Sequence, residues 1–253
     1  GVSVSARGFW RCSLFLALIF LGSLPLLGLP QVSSSSEARE LSVAREILMT
    51  HEIVLPLRHG VVPSKPPMYH WISAAIGALR GDVTPAVGRL TSLFAALGVL
   101  VLVGHLTFRL ASADSEVAQR GPGHPPAYFA AIGAMGVLGL TYGFTQQMTY
   151  AMVDMSFTFF ITLAISAIIV ALTRMNERGR SSACPFVERD LLIFAVGCAG
   201  AVLAKGPLGA VLPCAIAATL LVLQVGFVPA LRIVLTPRPA WMVFLALVLP
   251  WYL

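Results

Sequence analysis

PPAYFAAIGAMGVLGLTYGFTQQMTYAMVDMSFTFFITLAISAIIVALT, the stretch from Pro125 to Thr173, contains one charged residue, Asp154. From Leu191 to Leu231 the chain again has one charged residue, Lys205. A transmembrane helix needs about 20 predominantly apolar residues, so each stretch is long enough to cross a membrane about twice. A soluble domain does not bury this much uninterrupted apolar sequence. The pattern therefore predicts an all-α membrane protein, a polytopic helical bundle.

The composition of the whole chain agrees with that prediction. Of 253 residues, 57% are hydrophobic and 11% are charged, against roughly 45–50% and about 25% in a soluble domain. These values exclude a disordered chain, a disulfide-rich secreted module and an ordinary cytosolic enzyme. The net charge of +6 comes mainly from arginines scattered among the loops, and such arginines orient helices in a membrane more often than they bind nucleic acid. We therefore expect membrane lipids as partners and no nucleic acid.

Seven apolar segments predict about seven transmembrane helices within residues 1–253. The chain starts without Met and ends inside the last apolar segment, so we expect it to be the N-terminal transmembrane part of a longer protein. The segments are Ser13–Leu29, Leu90–Phe108, Pro125–Phe144, Met155–Thr173, Leu191–Ala204, Pro207–Val228 and Ala240–Leu253.

The basic residues between these segments indicate an orientation. With a cytoplasmic N-terminus, ten of the 17 basic residues lie on the cytoplasmic side, which is the side the positive-inside rule favours. Alternation of the helices then places Gln31–Arg89 and Asp154 on the opposite side. Six of the seven external basic residues lie between Arg39 and Arg89, so residues 31–89 are the external loop in which we expect site residues.

The external loop contains signals for two short helices. Ser34 and Glu37 have the spacing of a capping box, and Glu37 to Met49 follows as an amphipathic helix with Leu41, Ala44 and Leu48 on one face. We expect this face to lie on the membrane surface. Several prolines then predict a loop, and Met68 to Leu79 is apolar but too short to span, which favours a re-entrant or interfacial helix.

The chain has only two lysines, Lys65 and Lys205. Lys205 follows an apolar run, and the common role of such a lysine is to snorkel to the membrane interface. Lys65 is followed by Pro66 and Pro67, which fix the backbone, and then by an aromatic cluster. A compact cation on a pre-organised backbone suits an anionic head group such as a phosphate.

Asp154 has two interpretations of equal weight. A carboxylate at the edge of an apolar helix is a candidate functional group because it is costly to place there. It is also a good N-cap for a helix that starts at Met155. The charges between Glu37 and Glu46 taken alone are typical of a solvated helix face, and the histidines have no spacing that requires a metal.

The order of these features resembles one known family, the dolichyl-phosphate-mannose/aminoarabinose (lipid A) transferase superfamily of integral-membrane glycosyltransferases with the GT-C fold. The resemblance covers about Arg7 to Leu253 and depends on several motifs in sequence. They are Glu37-Ala38-Arg39, Ala44-Arg45-Glu46, Pro56, Lys65-Pro66-Pro67-Met68-Tyr69-His70-Trp71, Arg89-Leu90, Val153-Asp154-Met155, Leu203-Ala204-Lys205-Gly206-Pro207 and Pro250-Trp251-Tyr252.

The resemblance implies an inverting transferase that moves a sugar from a polyprenyl-phosphate donor to a lipid, glycan or protein. The chemistry takes place on the extracytoplasmic side, which for a bacterial inner membrane is the periplasm. Members of the family are about twice as long as this chain. The resemblance also implies that Lys65 and Arg39 bind the donor phosphate, with Tyr69, His70, Arg58 and Lys205 as candidate substrate contacts.

The chain departs from the family pattern at three positions. The acid taken to be the catalytic carboxylate falls on Ser36, the acidic metal contact of some members falls on Ser64, and a tyrosine falls on Glu40. We therefore predict that the catalytic carboxylate is supplied by Asp154, by Glu37 or by both. No cofactor is expected, and Ser64 does not support a divalent metal site.

Two other functions stay open at this point. A transporter or flippase could use Asp154 and Lys205 as intramembrane charges, although the chain lacks the symmetric pair of interrupted helices that such proteins show. A catalytically inactive membrane homologue is the third function, and Ser36 is the observation that favours it.

Overall fold

Ten helices and no strand make up the part of the chain that the computed structural model describes. That part is residues 2–28, 32, 34–113, 127–178, 188–228, 230 and 239–253, with the side chains of residues 2–10 and 176–178 excluded. The predicted all-α fold is confirmed. The helices are α1 (Val2–Leu27), α2 (Ser35–Thr50), α3 (Met68–Arg80), α4 (Pro85–Ala113), α5 (Ala127–Gly139), α6 (Tyr142–Thr149), α7 (Val153–Arg178), α8 (Glu188–Lys205), α9 (Leu208–Val225) and α10 (Pro239–Tyr252).

Two helices, α4 and α8, make most of the helix–helix contacts of the bundle. Helix α4 packs against α1, α5, α6 and α7, and α8 packs against α7, α9 and α10. Small residues let α7 and α8 approach closely, because a Cβ on Gly197 would lie only 2.8 Å from the backbone nitrogen of Ala164. Close backbone contact at glycine and alanine is typical of helix packing in membranes.

Three of the described helices are long and apolar enough to cross a membrane. They are Pro85–Ser112, Val153–Met175 and Leu208–Val225, with mean hydropathies of 2.1, 2.4 and 2.2. Large apolar side chains remain exposed on α9, where Val211 is 62% and Leu223 is 78% exposed. Apolar side chains facing outward are expected where the surroundings are lipid. Two shorter apolar helices, Arg11–Leu27 and Pro239–Tyr252, lie in the first and last predicted segments.

The predicted continuous span Pro125–Phe144 is wrong in one respect, because its described part is broken. Helices α5 and α6 meet at an angle of 72°, and the break follows Gly139. At the break the hydroxyl of Thr145 donates to the carbonyl of Gly139 at 3.1 Å. Glycine weakens a helix, and the threonine hydroxyl satisfies a carbonyl that the broken helix leaves free. The pair is a bent fourth span or a re-entrant element.

Helices α2 and α3 form a separate layer on one end of α4. Because both helices come from the loop predicted to be external, this layer is called the external layer below. The N-cap prediction is confirmed, since the Ser34 hydroxyl accepts from the backbone N–H of Glu37 at 3.1 Å. The face predicted to lie on the membrane surface instead packs on protein. Leu41 and Ala44 are buried in one cluster with Tyr69 of α3 and Val87 of α4. The layer is therefore fixed to the bundle, and it carries most of the predicted site residues.

Candidate functional site

A buried ion pair joins α2 to α4. The guanidinium of Arg89 contacts the Glu37 carboxylate through Nε to Oε1 at 2.9 Å and Nη2 to Oε2 at 3.2 Å. The side chains are 1% and 0% exposed. Oε1 of Glu37 also accepts the backbone N–H of Ala151, three residues before Asp154, at 3.0 Å. Glu37 thereby connects the external layer to the start of α7.

Close packing surrounds this ion pair. Tyr69 of α3 is fully buried, and its hydroxyl donates to the carbonyl of Gly88 at 3.0 Å. A Cβ on Gly88 would lie 2.5 Å from Leu41, 2.8 Å from Ala151 and 2.9 Å from the Tyr69 hydroxyl. Only glycine fits here without a shift of its neighbours, because side chains from α2, α3 and the segment before α7 pack directly against its Cα.

A second carboxylate, Glu40, joins Lys65 to His70. Its Oε1 accepts from Nζ of Lys65 at 2.9 Å, and its Oε2 contacts Nε2 of His70 at 2.7 Å. The Glu40 and His70 side chains are 7% and 0% exposed, whereas Lys65 is 30% exposed. Glu37, Glu40, Lys65, His70 and Arg89 are called the loop cluster below. Lys65 is the member of this cluster that solvent reaches.

The electrostatics of the loop cluster favour an ionised Glu40. Burial by itself raises the pKa of the Glu40 carboxyl, but the hydrogen bonds from His70 and Lys65 and the positive charge of Lys65 outweigh it and bring this pKa below its usual range. Burial also raises the pKa of the Tyr69 phenol, so this hydroxyl stays a neutral donor.

Asp154 and Lys205, the single charges of two apolar stretches, form an ion pair with each other. Asp154 lies in the first turn of α7, one residue past the first helical position rather than at the predicted cap. The Lys205 ammonium also lies over the ring of Phe157, 5.4 Å from its centroid. Both side chains are partly exposed, at 28% for Asp154 and 38% for Lys205.

Of the remaining predicted site residues, Arg39 and Arg58 lie at the edges of this arrangement, and Tyr69 and His70 lie inside it. Arg39 is exposed on α2, and its Nη2 donates to the hydroxyl of Ser36 at 3.0 Å. Arg58 lies in a tight turn whose backbone pairs with Val61 at 2.8 and 3.1 Å. Tyr69 and His70, predicted as substrate contacts, are both buried in this structure and contact Gly88 and Glu40 instead.

Two contacts and helix α2 link Lys65 to the segment before Asp154. Lys65 contacts Glu40, Glu37 lies one turn earlier on the same helix, and Glu37 contacts the backbone just before Asp154. Arg89 was not predicted as a site residue. Its signal in the sequence is that it is the only charged residue from Val83 to Phe108, and a charge within an apolar helix needs a partner.

Two other features of the described residues bear on ligands. Nowhere in them do three or more His, Cys, Asp or Glu side chains come together as a metal site would require. A cavity of about 630 Å³ lies beside α2, and Arg45, Glu46 and His59 are its polar lining residues with longer side chains. None of the predicted site residues lines this cavity, so it is separate from the loop cluster.

The helical architecture with its external layer is that of the GT-C fold. It is shared by a crystal structure of ArnT from Cupriavidus metallidurans in the apo state, with a TM-score of 0.71 and 17% identity, over 98% of this chain and 42% of that chain. The structure of the same ArnT bound to undecaprenyl phosphate gives a TM-score of 0.67 and 16% identity, over 95% of this chain and 40% of that chain. This chain therefore spans about two fifths of the length of ArnT.

The fold expected from the sequence resemblance is confirmed by these structures. No family profile matches this chain, and no curated protein matches it by sequence.

Proposed function

We propose that this chain is the donor-binding part of a GT-C-type membrane glycosyltransferase that uses a polyprenyl-phosphate-linked sugar. The observation that carries the proposal is the ArnT fold, which extends over 98% of the chain and which in one of the two structures holds undecaprenyl phosphate. The loop cluster adds support, because it presents a partly exposed ammonium on an otherwise buried ionic framework.

In this proposal Lys65 and Arg39 bind the phosphate of the donor. Lys65 has three N–H donors and gives one of them to Glu40, which leaves two for phosphate oxygens. Arg39 is exposed on the same helix as Glu40. When the acceptor attacks the anomeric carbon and the bond to the phosphate oxygen breaks, both cations stabilise the charge that develops on the leaving phosphate.

Asp154 is the carboxylate that we propose for orienting or deprotonating the acceptor. A general base must reach the proton that it removes, and Asp154 keeps 28% of its side chain exposed beside Lys205. Glu37 has 0% exposure and is engaged by Arg89 and Ala151. For Glu37 we therefore propose a positioning role, holding α2 against α7, in place of the direct role expected from the sequence.

The acceptor class, the stereochemical outcome and the location of the site follow from the resemblance and are part of the proposal. We propose a lipid, glycan or protein acceptor and inversion at the anomeric carbon. We also propose that the external layer faces the periplasm of a bacterial inner membrane, in agreement with the arginine distribution.

The test is sugar transfer from a polyprenyl-phosphate sugar by the full-length protein in proteoliposomes. Lys65→Ala is expected to abolish transfer, and Lys65→Arg to retain a little because the charge persists with a different geometry. Arg80→Ala is the matched control, since Arg80 is an exposed cation at the end of α3. Equal turnover and donor KM in wild type and Lys65→Ala would overturn the phosphate role.

The catalytic carboxylate is tested in the same assay. Asp154→Asn is expected to reduce turnover by about 100-fold or more, within the range of a lost general base. If Asp154→Asn transfers sugar at the wild-type rate, Asp154 is a structural partner of Lys205 and no more. The wild type could bind polyprenyl phosphate and yet transfer no sugar from any polyprenyl-phosphate donor. That result would favour the inactive homologue that Ser36 suggests.

A further inference from the structure

We propose that Glu40 is a positioning residue for Lys65 and that His70 holds Glu40 in place; this inference rests on the phosphate-binding role of Lys65 proposed above. The residues form a linear arrangement in which a buried ring contacts a carboxylate and the carboxylate contacts an exposed ammonium. Its purpose is to keep the Lys65 ammonium at one point while leaving part of it accessible.

The geometry at Glu40 is the first step. Each carboxylate oxygen has its own partner, Lys65 at 2.9 Å and His70 at 2.7 Å. A carboxylate held at both oxygens cannot rotate without losing one of two charge-assisted or short contacts. Glu40 is on the buried side of α2, and 5% of the whole residue is exposed. Water therefore does not readily replace either partner of its carboxylate.

Lys65 needs such a partner because of where it lies. It is in the loop between α2 and α3, and its four-carbon side chain has high rotamer entropy. Pro66 and Pro67 restrain the backbone after it, but they do not restrain the ammonium itself. The contact with Glu40 fixes the ammonium, and two of its N–H donors are left for a ligand.

Among the described residues, the hydrogen bond of the His70 side chain is the one with Glu40. The ring is fully buried, and its Nδ1 has no hydrogen-bond partner there. Donation from Nε2 to the Glu40 carboxylate fixes the tautomer with the hydrogen on Nε2. The ring packs edge-on to Tyr69, with centroids 5.8 Å apart, and Tyr69 is itself anchored to Gly88. The position of Lys65 is therefore set from the core outward.

A purely structural role for Glu40 predicts different behaviour from a positioning role. If Glu40 only stabilised the external layer, its replacement would lower stability and the yield of active protein but leave the donor KM unchanged. A positioning role predicts a higher donor KM and a Lys65 amine that reacts faster with acylating reagents. The acylation of Lys65 is read by mass spectrometry from the peptide that contains it, which separates it from Lys205, the other lysine of this chain, and from lysines elsewhere in the full-length protein.

The experiment compares Glu40→Gln with Glu46→Gln in the full-length protein. Glu46 lies on the same helix but accepts a hydrogen bond from the backbone of His59, so it is a matched control. Glu40→Gln is expected to raise the donor KM about tenfold to a hundredfold, the effect of losing a hydrogen bond to a charged group. It should also speed acylation of Lys65 several-fold. Glu46→Gln should change neither quantity.

Two substitutions of His70 provide the second test, which also covers failure of Glu40→Gln to fold. His70→Gln keeps an N–H that can donate to Glu40, and His70→Ala does not. We expect His70→Ala to raise the donor KM and the acylation rate of Lys65. His70→Gln should restore both toward the wild-type values.

The outcomes separate this inference from the proposed function. If Lys65→Ala abolishes transfer while Glu40→Gln behaves like Glu46→Gln, the positioning role is overturned and the phosphate role survives. If Lys65→Ala leaves the donor KM unchanged, both are overturned. If Glu40→Gln changes only the melting temperature, Glu40 is structural and the inference is wrong.

Discussion

Arg89→Met should destabilise this protein strongly because it leaves the Glu37 carboxylate buried without its guanidinium. The two side chains are 1% and 0% exposed and share a two-point contact at 2.9 and 3.2 Å. Breaking such a buried pair by removing one partner costs about 3–5 kcal/mol. At about 2–4 °C per kcal/mol for 150–250 residues, the melting temperature would fall by roughly 6–20 °C, and in the longer full-length protein the fall should be smaller and of the same sign. Methionine keeps much of the side-chain volume, so the loss reports mainly on charge.

The assay is thermal unfolding of the detergent-solubilised full-length protein, and the control is Arg45→Met. Arg45 and Asp82 form an exposed pair, at 51% and 50%, and such pairs contribute about 0–1 kcal/mol. The double variant Arg89→Met/Glu37→Met should regain part of the loss, since no buried charge remains. If Arg89→Met melts at the same temperature as Arg45→Met, the buried ion pair between Glu37 and Arg89 does not stabilise the protein as we predict.

Three further predictions concern the external layer. Gly88→Ala should lower the free energy of unfolding by about 1–3 kcal/mol through overpacking, because the added Cβ would overlap Leu41 and Ala151. The control in the melting experiment is Gly143→Ala, since a Cβ at Gly143 meets open space. Glu40 has a pKa lowered from 4.5, so its contribution to stability is present above about pH 4.5 and is lost as the pH falls through the lowered pKa. The difference in melting temperature between wild type and Glu40→Gln should therefore narrow in acid, and a constant difference would count against the assigned pairing. A single cysteine at position 60 in a cysteine-free background should react with an impermeant thiol reagent in intact spheroplasts, and protection would contradict a periplasmic external layer.

The helices of the external layer could be predicted because their signals are local. Ser34 caps α2 as its spacing with Glu37 indicates, and the apolar residues from Met68 onward form the short helix α3. The partner of the Glu37 carboxylate could not be predicted in the same way. Arg89 is 52 positions away, and their contact depends on how α2 packs on α4.

The pairing of Asp154 with Lys205 lies between these cases. The residues are 51 positions apart, yet each is the single charge in a long apolar stretch. Alternation of the helices puts the start of the fourth predicted span and the end of the fifth on the same side. Opposite charges at one membrane boundary tend to pair, so the sequence contained this signal. The break at Gly139 had a weaker signal, because glycines also occur within unbroken membrane helices.

The arrangement around Glu40 depends on a departure from the family pattern. The resemblance expects tyrosine at this position, and the sequence alone does not indicate what a carboxylate there would contact. The structure shows that it lies between Lys65 and His70. Both contacts require α2, α3 and the intervening loop to be folded together, which is information that no local pattern contains.

Binding of undecaprenyl phosphate to the full-length protein is a direct measure of whether Lys65 holds the donor phosphate. The affinity is measured for wild type, Lys65→Met and Arg80→Met, which each remove one cation from the external layer. We predict that Lys65→Met weakens binding about tenfold or more, as expected for loss of a charge-assisted contact, and that Arg80→Met binds as the wild type does. Equal affinities for wild type and Lys65→Met would show that Lys65 does not bind the phosphate.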